Sequence, residues 1–236
     1  MAKEKHLISA VDSSRVIKSS KEVEKLLEIV HEMAKSGIEE SVKAFSNSFT
    51  TKSTVYLGVD ETFYDSNCGD KGASRWGAAP AWYGSEYYFS QNKIEVATLL
   101  GPGGYGGASA WGWIGKSFYV SGSGMKPANI IMRGHIYGLT SAFAGGNSNV
   151  NVNLVVYDAT TGTKYSTTIY QHSEGGVGWT GVDDDFNNGI SVNLQAGHTY
   201  IVYVEVITSA AVYGAGEAGS DFGRFDGDYL GGSVVL

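Results

Sequence analysis

A single cysteine, Cys68, stands in 236 residues. No intramolecular disulfide can form, and no zinc cluster can be built on thiolates. Charge is also sparse, at 17% of the chain, and the basic residues form no stripe. Residues 53 to 236 hold 8 Lys/Arg against 16 Asp/Glu, a balance of −8. A surface of that sign repels phosphate backbones, which excludes nucleic acid as a partner. No run approaches the 18 apolar residues of a membrane-spanning helix. The opening residues MAKEKHLISA lack the charged region and apolar core of a secretory signal. Taken as written, the chain is expected to be cytosolic, whereas its Gly, Ser, Thr, Asn and Tyr content is that of an extracellular surface protein. Helical runs are missing between the apolar stretches after residue 53, which excludes a parallel α/β sheet.

Glycine, by contrast, is abundant, with 33 residues. Gly101, Gly103 and Gly106 match the spacing G-x-G-x-x-G, and so do Gly214, Gly216 and Gly219. A phosphate cradle of this kind needs a helix directly after the glycines, so that the anion meets the helix N-terminus. Neither match supplies one. ASAWGWIGKSFYV follows the first and reads as a strand, and SDFGRFDGDYLGG follows the second with too much glycine for a helix. The first match also lacks the ribose-binding acid, since no Asp or Glu occurs between Glu95 and Asp158. The glycines are therefore expected to make turns and bulges between strands.

Residues 1–52 form an N-terminal helical segment and residues 53–236 a β-sandwich domain. In the first, Val23, Leu26, Leu27, Val30, Met33 and Ala34 recur at helical steps, with Lys21, Lys25, Glu28, Glu32 and Lys35 on the other side. Ser19 with Glu22 offers a capping box. Gly37 is expected to end or kink this helix, and Ser36 with Glu39 to start a shorter one through about Phe45. From Val55 onward the period is two. NVNVNLVVY (149–157) sets three Asn on one face against Val150, Val152 and Leu154 on the other, DATTG (158–162) is a turn, and KYSTTIY (164–170) is the return strand. NIIMRGHIYGL (129–139) alternates too, as do Ile190, Val192 and Leu194.

In LQAGHTY, the residues Leu194, Gly197 and Tyr200 take the spacing L-x-x-G-x-x-Y. This resembles the tyrosine corner of Greek-key sandwiches such as the immunoglobulin and fibronectin type III folds, where the Tyr hydroxyl bonds back to the backbone. The resemblance spans seven residues and speaks to topology only. The fold class is mainly β, an antiparallel Greek-key or jelly-roll-like sandwich preceded by an amphipathic helical segment. About 180 residues exceed a minimal seven-strand domain and favour the jelly-roll form.

Catalytic constellations are hard to find. His6 and His31 fall in the helical region, and none of His135, His172 and His198 stands in a G-x-S-x-G elbow. Triads assemble in space, so a glycan- or ester-directed hydrolase stays open. His198 reads as a turn residue beside the tyrosine corner. VDDDFNNG gathers Asp183, Asp184, Asp185, Asn187 and Asn188 in what reads as a loop, an oxygen-rich setting suited to Ca2+, and SDFGRFDGD adds Asp221, Asp226 and Asp228 near the C-terminus. The alternative reading of these acids is a solvated turn. DSNCGD (65–70) has the wrong order for an EF-hand. Trp76, Trp82, Trp111, Trp113 and Trp179, with Tyr83, Tyr87, Tyr88 and Tyr105, are either core residues or sugar-stacking platforms, and burial is the reading for Trp111 and Trp113.

The binding expectation comes from strand register. If residues 130–139 pair with 149–157 through AGGNS, then Arg133, His135 and Tyr137 lie beside Asn149, Asn151 and Asn153. The next hairpin would add Ser166, Thr168 and Tyr170, with Tyr165, Thr167 and Ile169 turned inward. Such a face is either ordinary hydrated surface or a shallow glycan-binding site. The reading is a non-catalytic binding or assembly module whose partner is a glycan or a protein surface. A helix ahead of a sandwich is also a layout of small pore-forming toxins, so a membrane-active protein is a further alternative. The nearly neutral polar face of the helix and the lack of Trp before residue 76 argue against membranes. The apolar stripe is expected to pack on its own sandwich, with pairing to a second copy as the alternative.

Overall fold

The computed structural model describes residues 20–48, 53–222 and 233–235. Among them, one α-helix, α1 (Ser20–Ser48), precedes the strands β1 (Thr54–Tyr56), β2 (Cys68–Gly77), β3 (Ala81–Tyr88), β4 (Lys93–Leu100), β5 (Gly104–Ser121) and β6 (Met125–Phe143). The chain continues with β7 (Gly146–Asp158), β8 (Thr163–Gly175), β9 (Gly178–Gln195), β10 (Thr199–Gly214), β11 (Glu217–Phe222) and β12 (Ser233–Val235). Two sheets result. In the first, β1 and β2 both flank β5, followed by β10, β7 and β8; in the second, β3 lies beside β4, then come β11 and β12, then β6 and β9. Every pairing is antiparallel except β1 with β5.

The long pairs nest. The outermost is β4 with β11, then β5 with β10, β6 with β9, and β7 with β8 innermost. Successive strands cross between the sheets, so the chain is a two-stranded ribbon wound about one core. This is the mainly β, antiparallel sandwich with an N-terminal helix expected from the sequence. Ile94, Val96, Ile114, Val150, Val152, Val204, Val206 and Phe222 fill the space between the sheets. Both G-x-G-x-x-G stretches lie at crossings, where Gly103 and Gly214 take positive φ and the Gly103 N–H donates to the Gly214 carbonyl at 2.9 Å. Among the described residues a strand, and no helix, follows each.

The tyrosine corner is formed. The backbone N–H of Gln195 donates to Tyr200 Oη at 2.9 Å, and Gly197 turns the chain with φ +88°. Tyr200 is buried.

The helix stripe is buried on its own sandwich, over the outer face of the first sheet. Val23, Leu26 and Val30 meet Ala211, while Ala34, Ile38 and Val42 meet Trp113, Val155, Ile201, Tyr203 and Ile207. Strand β10 is thus buried on both faces, which explains its near-continuous apolar run. Gly37 does not end the helix. It sits inside one unbroken helix, where its missing side chain leaves room for an indole: a β-carbon there would lie 2.6 Å from Trp111 Nε1, and the same indole also packs on Gly72. Ser36 and Glu39 accordingly start no second helix. Ser19 of the first capping box lies outside the described residues. No described helix is long and apolar enough to cross a membrane.

Candidate functional site

With the first sheet's outer face under α1, the outer face of the second sheet is the broad open surface among the described residues. Strand alternation decides what it presents. One row crosses five strands as Trp82, Leu99, Gly219, Ser141 and Trp179. The next runs Gly84, Ala97, Asp221, Leu139 and Gly181. Trp179 is 69% exposed and Trp82 53%, with Leu99 and Phe143 also open to solvent. Two indoles therefore bound a floor of mostly small side chains.

Beside this apolar band lies a polar one. Tyr137 opposes Asp183, His135 opposes Asp185, and Arg133 opposes Asn187. The His135 ring is held from both sides, with Nε2 2.9 Å from Asp183 Oδ1 and Nδ1 2.9 Å from Asp185 Oδ1. The hydrogen bond to Asp185 foremost, with Asp183 adding to it, holds the imidazole above its ordinary pKa. On the far edge Lys93 pairs with Glu95 at 2.7 Å and lies over the Tyr88 ring, and Lys71 pairs with Glu86.

The structure brings Arg133, His135 and Tyr137 together as expected, but separates them from the remaining candidates. Strand β6 pairs with β9 and not with β7, because the turn at Ala144 and Gly145 carries the chain from one sheet to the other. Asn151, Asn153 and Thr168 consequently lie on the outer face of the first sheet. There Asn151 Nδ2 is 3.3 Å from His31 Nε2, and Asn153 donates to the buried carboxylate of Glu205 at 3.1 Å, which Lys164 also pairs. The DATTG hairpin forms as read, but a bulge at Val152/Asn153 shifts the parity of β8. Tyr170 turns inward, packing beside Phe222 with ring centroids 6.0 Å apart, and Ile169 packs on the core as well. Tyr170 is thus no part of an outer polar face.

The acidic run is likewise no loop. Asp183, Asp184, Asp185 and Asn187 belong to β9, so alternation places Asp183, Asp185 and Asn187 on the outer face and sends Asp184 to the other side. The four do not converge as loop ligands do, and the imidazole of His135 fills the space between the two outer carboxylates. Asp226 and Asp228 lie outside the described residues. The strand was legible in one signal: Val182, Phe186, Ile190, Val192 and Leu194 share one parity through the whole segment. Trp82 and Trp179 as a matched pair were not legible, because only the fold puts them in one row.

The remaining polar clusters are enclosed or occupied. Ser209 Oγ lies 3.2 Å from His31 Nδ1, and His31 Nε2 meets Asn151, giving a hydroxyl, imidazole and amide in catalytic order. Yet Ser209 is fully buried and His31 only 8% exposed, so no substrate reaches them. His172 and Thr180 both engage Glu174 Oε1, whose carboxyl they hold below its usual range. His198 sits in the corner turn and pairs with Asp158 at 2.8 Å, while Asp158 caps the DATTG turn through the N–H of Thr160. Cys68 is buried beneath α1, and burial pushes its thiol up to about 12. Trp111 and Trp113 face α1, and Trp113 is fully buried, donating to Ser41 Oγ at 2.9 Å.

No protein-family model matches the sequence, and no curated protein matches it. Among solved structures, the carbohydrate-binding module TmCBM61, determined with β-1,4-galactotriose, is 12% identical over 70% of this chain and 87% of its own, with a TM-score of 0.23. The C-terminal family 22 carbohydrate-binding module of Clostridium thermocellum Xyn10B is 12% identical over 61% of this chain and 86% of its own, at 0.20. The enzymatically active domain of bacteriophage CBA120 tailspike protein 4 is 11% identical over 63% of this chain, at 0.22, and this chain spans 18% of it. Likenesses this loose say nothing of what this chain binds.

Proposed function

We propose that the protein binds carbohydrate through the outer face of its second sheet. The observation that carries this reading is the pairing of two exposed indoles, Trp82 and Trp179, with a polar band on the same face. A sugar ring offers an apolar C–H face, which stacks on an exposed indole, and a rim of hydroxyls, which need donors and acceptors fixed beside it. Tyr137, Arg133, Asp183 and Asp185 supply both kinds, and the bonds to His135 hold the two carboxylates in place. A strand-borne site is rigid, so little side-chain order is lost on binding. Among the described residues no element lies over the face. It can hold a glycan without closing over it, which suits recognition better than a reaction that must exclude water.

The test is a glycan array probed with the intact protein and with Tyr137→Ala and Trp179→Ala. Binding of at least one glycan class, weakened by both changes, is expected. No binding to any glycan, or binding that ignores both changes, sinks the reading. Equal loss with a control change at Asn153, on the opposite sheet, would move the site to the other face.

A further inference from the structure

We infer that the ligand is an extended, neutral glycan laid across the strands, with Trp82 and Trp179 as platforms at its two ends; this rests on the carbohydrate reading. The register fixes the distance. Four strand spacings separate the two residues in one continuous row, which is ~19 Å at about 4.8 Å per strand. That is longer than a disaccharide, so one short ligand cannot touch both indoles.

The ground between them is low. Leu99 leans over Gly219, where an added β-carbon would meet Leu99 Cδ1 at 2.8 Å, and Ser141 is the next side chain in the row. In the adjoining row a β-carbon on Gly84 would meet nothing within 4 Å, and one on Gly181 only the Gly138 carbonyl at 3.8 Å. A chain can therefore run from one indole to the other with Leu99 as a central apolar contact and the Tyr137–Asp183 row along its side. The strands run perpendicular to this path, so each ring crosses a different strand.

Charge selects the class of glycan. Among the described residues the face carries Glu86, Glu95, Asp183, Asp185 and Asp221 against Arg133, Lys93 and His135, while Lys71, Lys93 and His135 are each engaged by carboxylates of the face itself. A uronate or sulfated sugar would meet these carboxylates with no cluster of cations among the described residues to offset them. A neutral hexose chain meets acceptors for its hydroxyls.

The experiment is calorimetric titration of neutral gluco-, manno- and galacto-oligosaccharide ladders of one to six units, with an oligogalacturonate ladder as the anionic arm. For the neutral sugar that binds, affinity is expected to climb at least tenfold between the disaccharide and the longest chain. Trp82→Ala and Trp179→Ala should each erase that gain and leave disaccharide binding at the other end. Both residues are solvent-exposed, so unchanged melting of the variants confirms that folding is intact. An affinity that does not change with length, or stronger binding of the anionic ladder, overturns this inference while a loss with Tyr137→Ala keeps the carbohydrate reading. If no ladder binds and the protein instead self-associates through Trp82 and Trp179, both fail and the face is a protein contact.

Discussion

Acidification is expected to loosen α1 from its sheet, because the interface is built around a histidine that must stay neutral. His31 is packed between the helix and the sheet against Ser209 on β10 and Asn151 on β7, with Asn149 on β7 and Glu32 and Lys35 on its own helix nearby. Burial, aided by Lys35, lowers its pKa from 6.5 to about 4. A lowered histidine pKa means that the unfolded chain takes up a proton the folded one refuses. Stability is complete above pH 6.5, falls between 6.5 and 4, and loses nothing more to this group below 4. A gap of about 2.5 units at about 1.4 kcal/mol per unit gives a loss of about 3 kcal/mol by pH 4, a large share of a typical domain's stability. Carboxylates titrate in the same window, so the informative quantity is the difference from His31→Gln, which keeps polar contacts and cannot charge. Urea unfolding of both proteins at pH 7, 5.5 and 4.5, followed by tryptophan emission, measures it; Trp111 and Trp113 lie under the helix and report its release. Parallel loss of stability in the two proteins would refute the reasoning.

Other expectations follow from single contacts. Gly37→Ala would normally stabilise a helix by about 1 kcal/mol, but the new methyl lies 2.6 Å from the Trp111 indole, so a net loss of 1 kcal/mol or more is expected in urea unfolding; a gain would show that the indole moves freely. Tyr200→Phe leaves the half-buried Gln195 N–H without its acceptor and should cost about 1 kcal/mol; an unchanged urea midpoint would remove the corner's structural role. Millimolar Ca2+ is expected to leave the Tm unmoved, because β9 divides its carboxylates between two faces and His135 occupies the outer pair. A rise in Tm reversed by EDTA would restore a calcium role for Asp183 to Asn187 by mass action.

Periodicity carried the sequence reading a long way. The helical stripe from Val23 to Ala34, the Val150–Val152–Leu154 strand, the DATTG hairpin and the tyrosine corner are all local patterns, and each appears as read. The burial of the stripe on its own sandwich also held, whereas the pairing of β6 and the outer-face assignments of β7 and β8, which needed a particular partner strand, did not. AGGNS looks like a hairpin turn, yet nothing in a turn's residues says whether the chain folds back within a sheet or crosses to the other. The Asn face of β7 reads as hydrated, but alternation cannot distinguish water from a buried His31 or Glu205. A one-residue bulge then reversed Tyr170. The proposed binding face was half legible for the same reason: Arg133, His135 and Tyr137 share one strand, while Trp82, Trp179, Asp183 and Asp185 come from others.

The seating of α1 has a consequence for the order in which the chain is made. The helix emerges before every described strand, but its seat on β10 comes much later, and His31 and Ser209 are 178 residues apart. At about 5–20 residues per second, a ribosome needs on the order of ten seconds or more to bridge that distance. Throughout that interval the stripe of Val23, Leu26, Val30 and Ile38 lacks the part of its seat that β10 supplies and can meet only β2, β5 and β7. The innermost hairpin, β7 with β8, needs only a short loop to close, whereas β5 must wait for β10. Nascent chains halted before residue 199 should therefore expose α1 to protease and to holding chaperones, and chains released after residue 214 should not; equal protection in both would mean that the helix finds cover elsewhere first. A segment translated ahead of every described strand is the one whose seat the fold completes last.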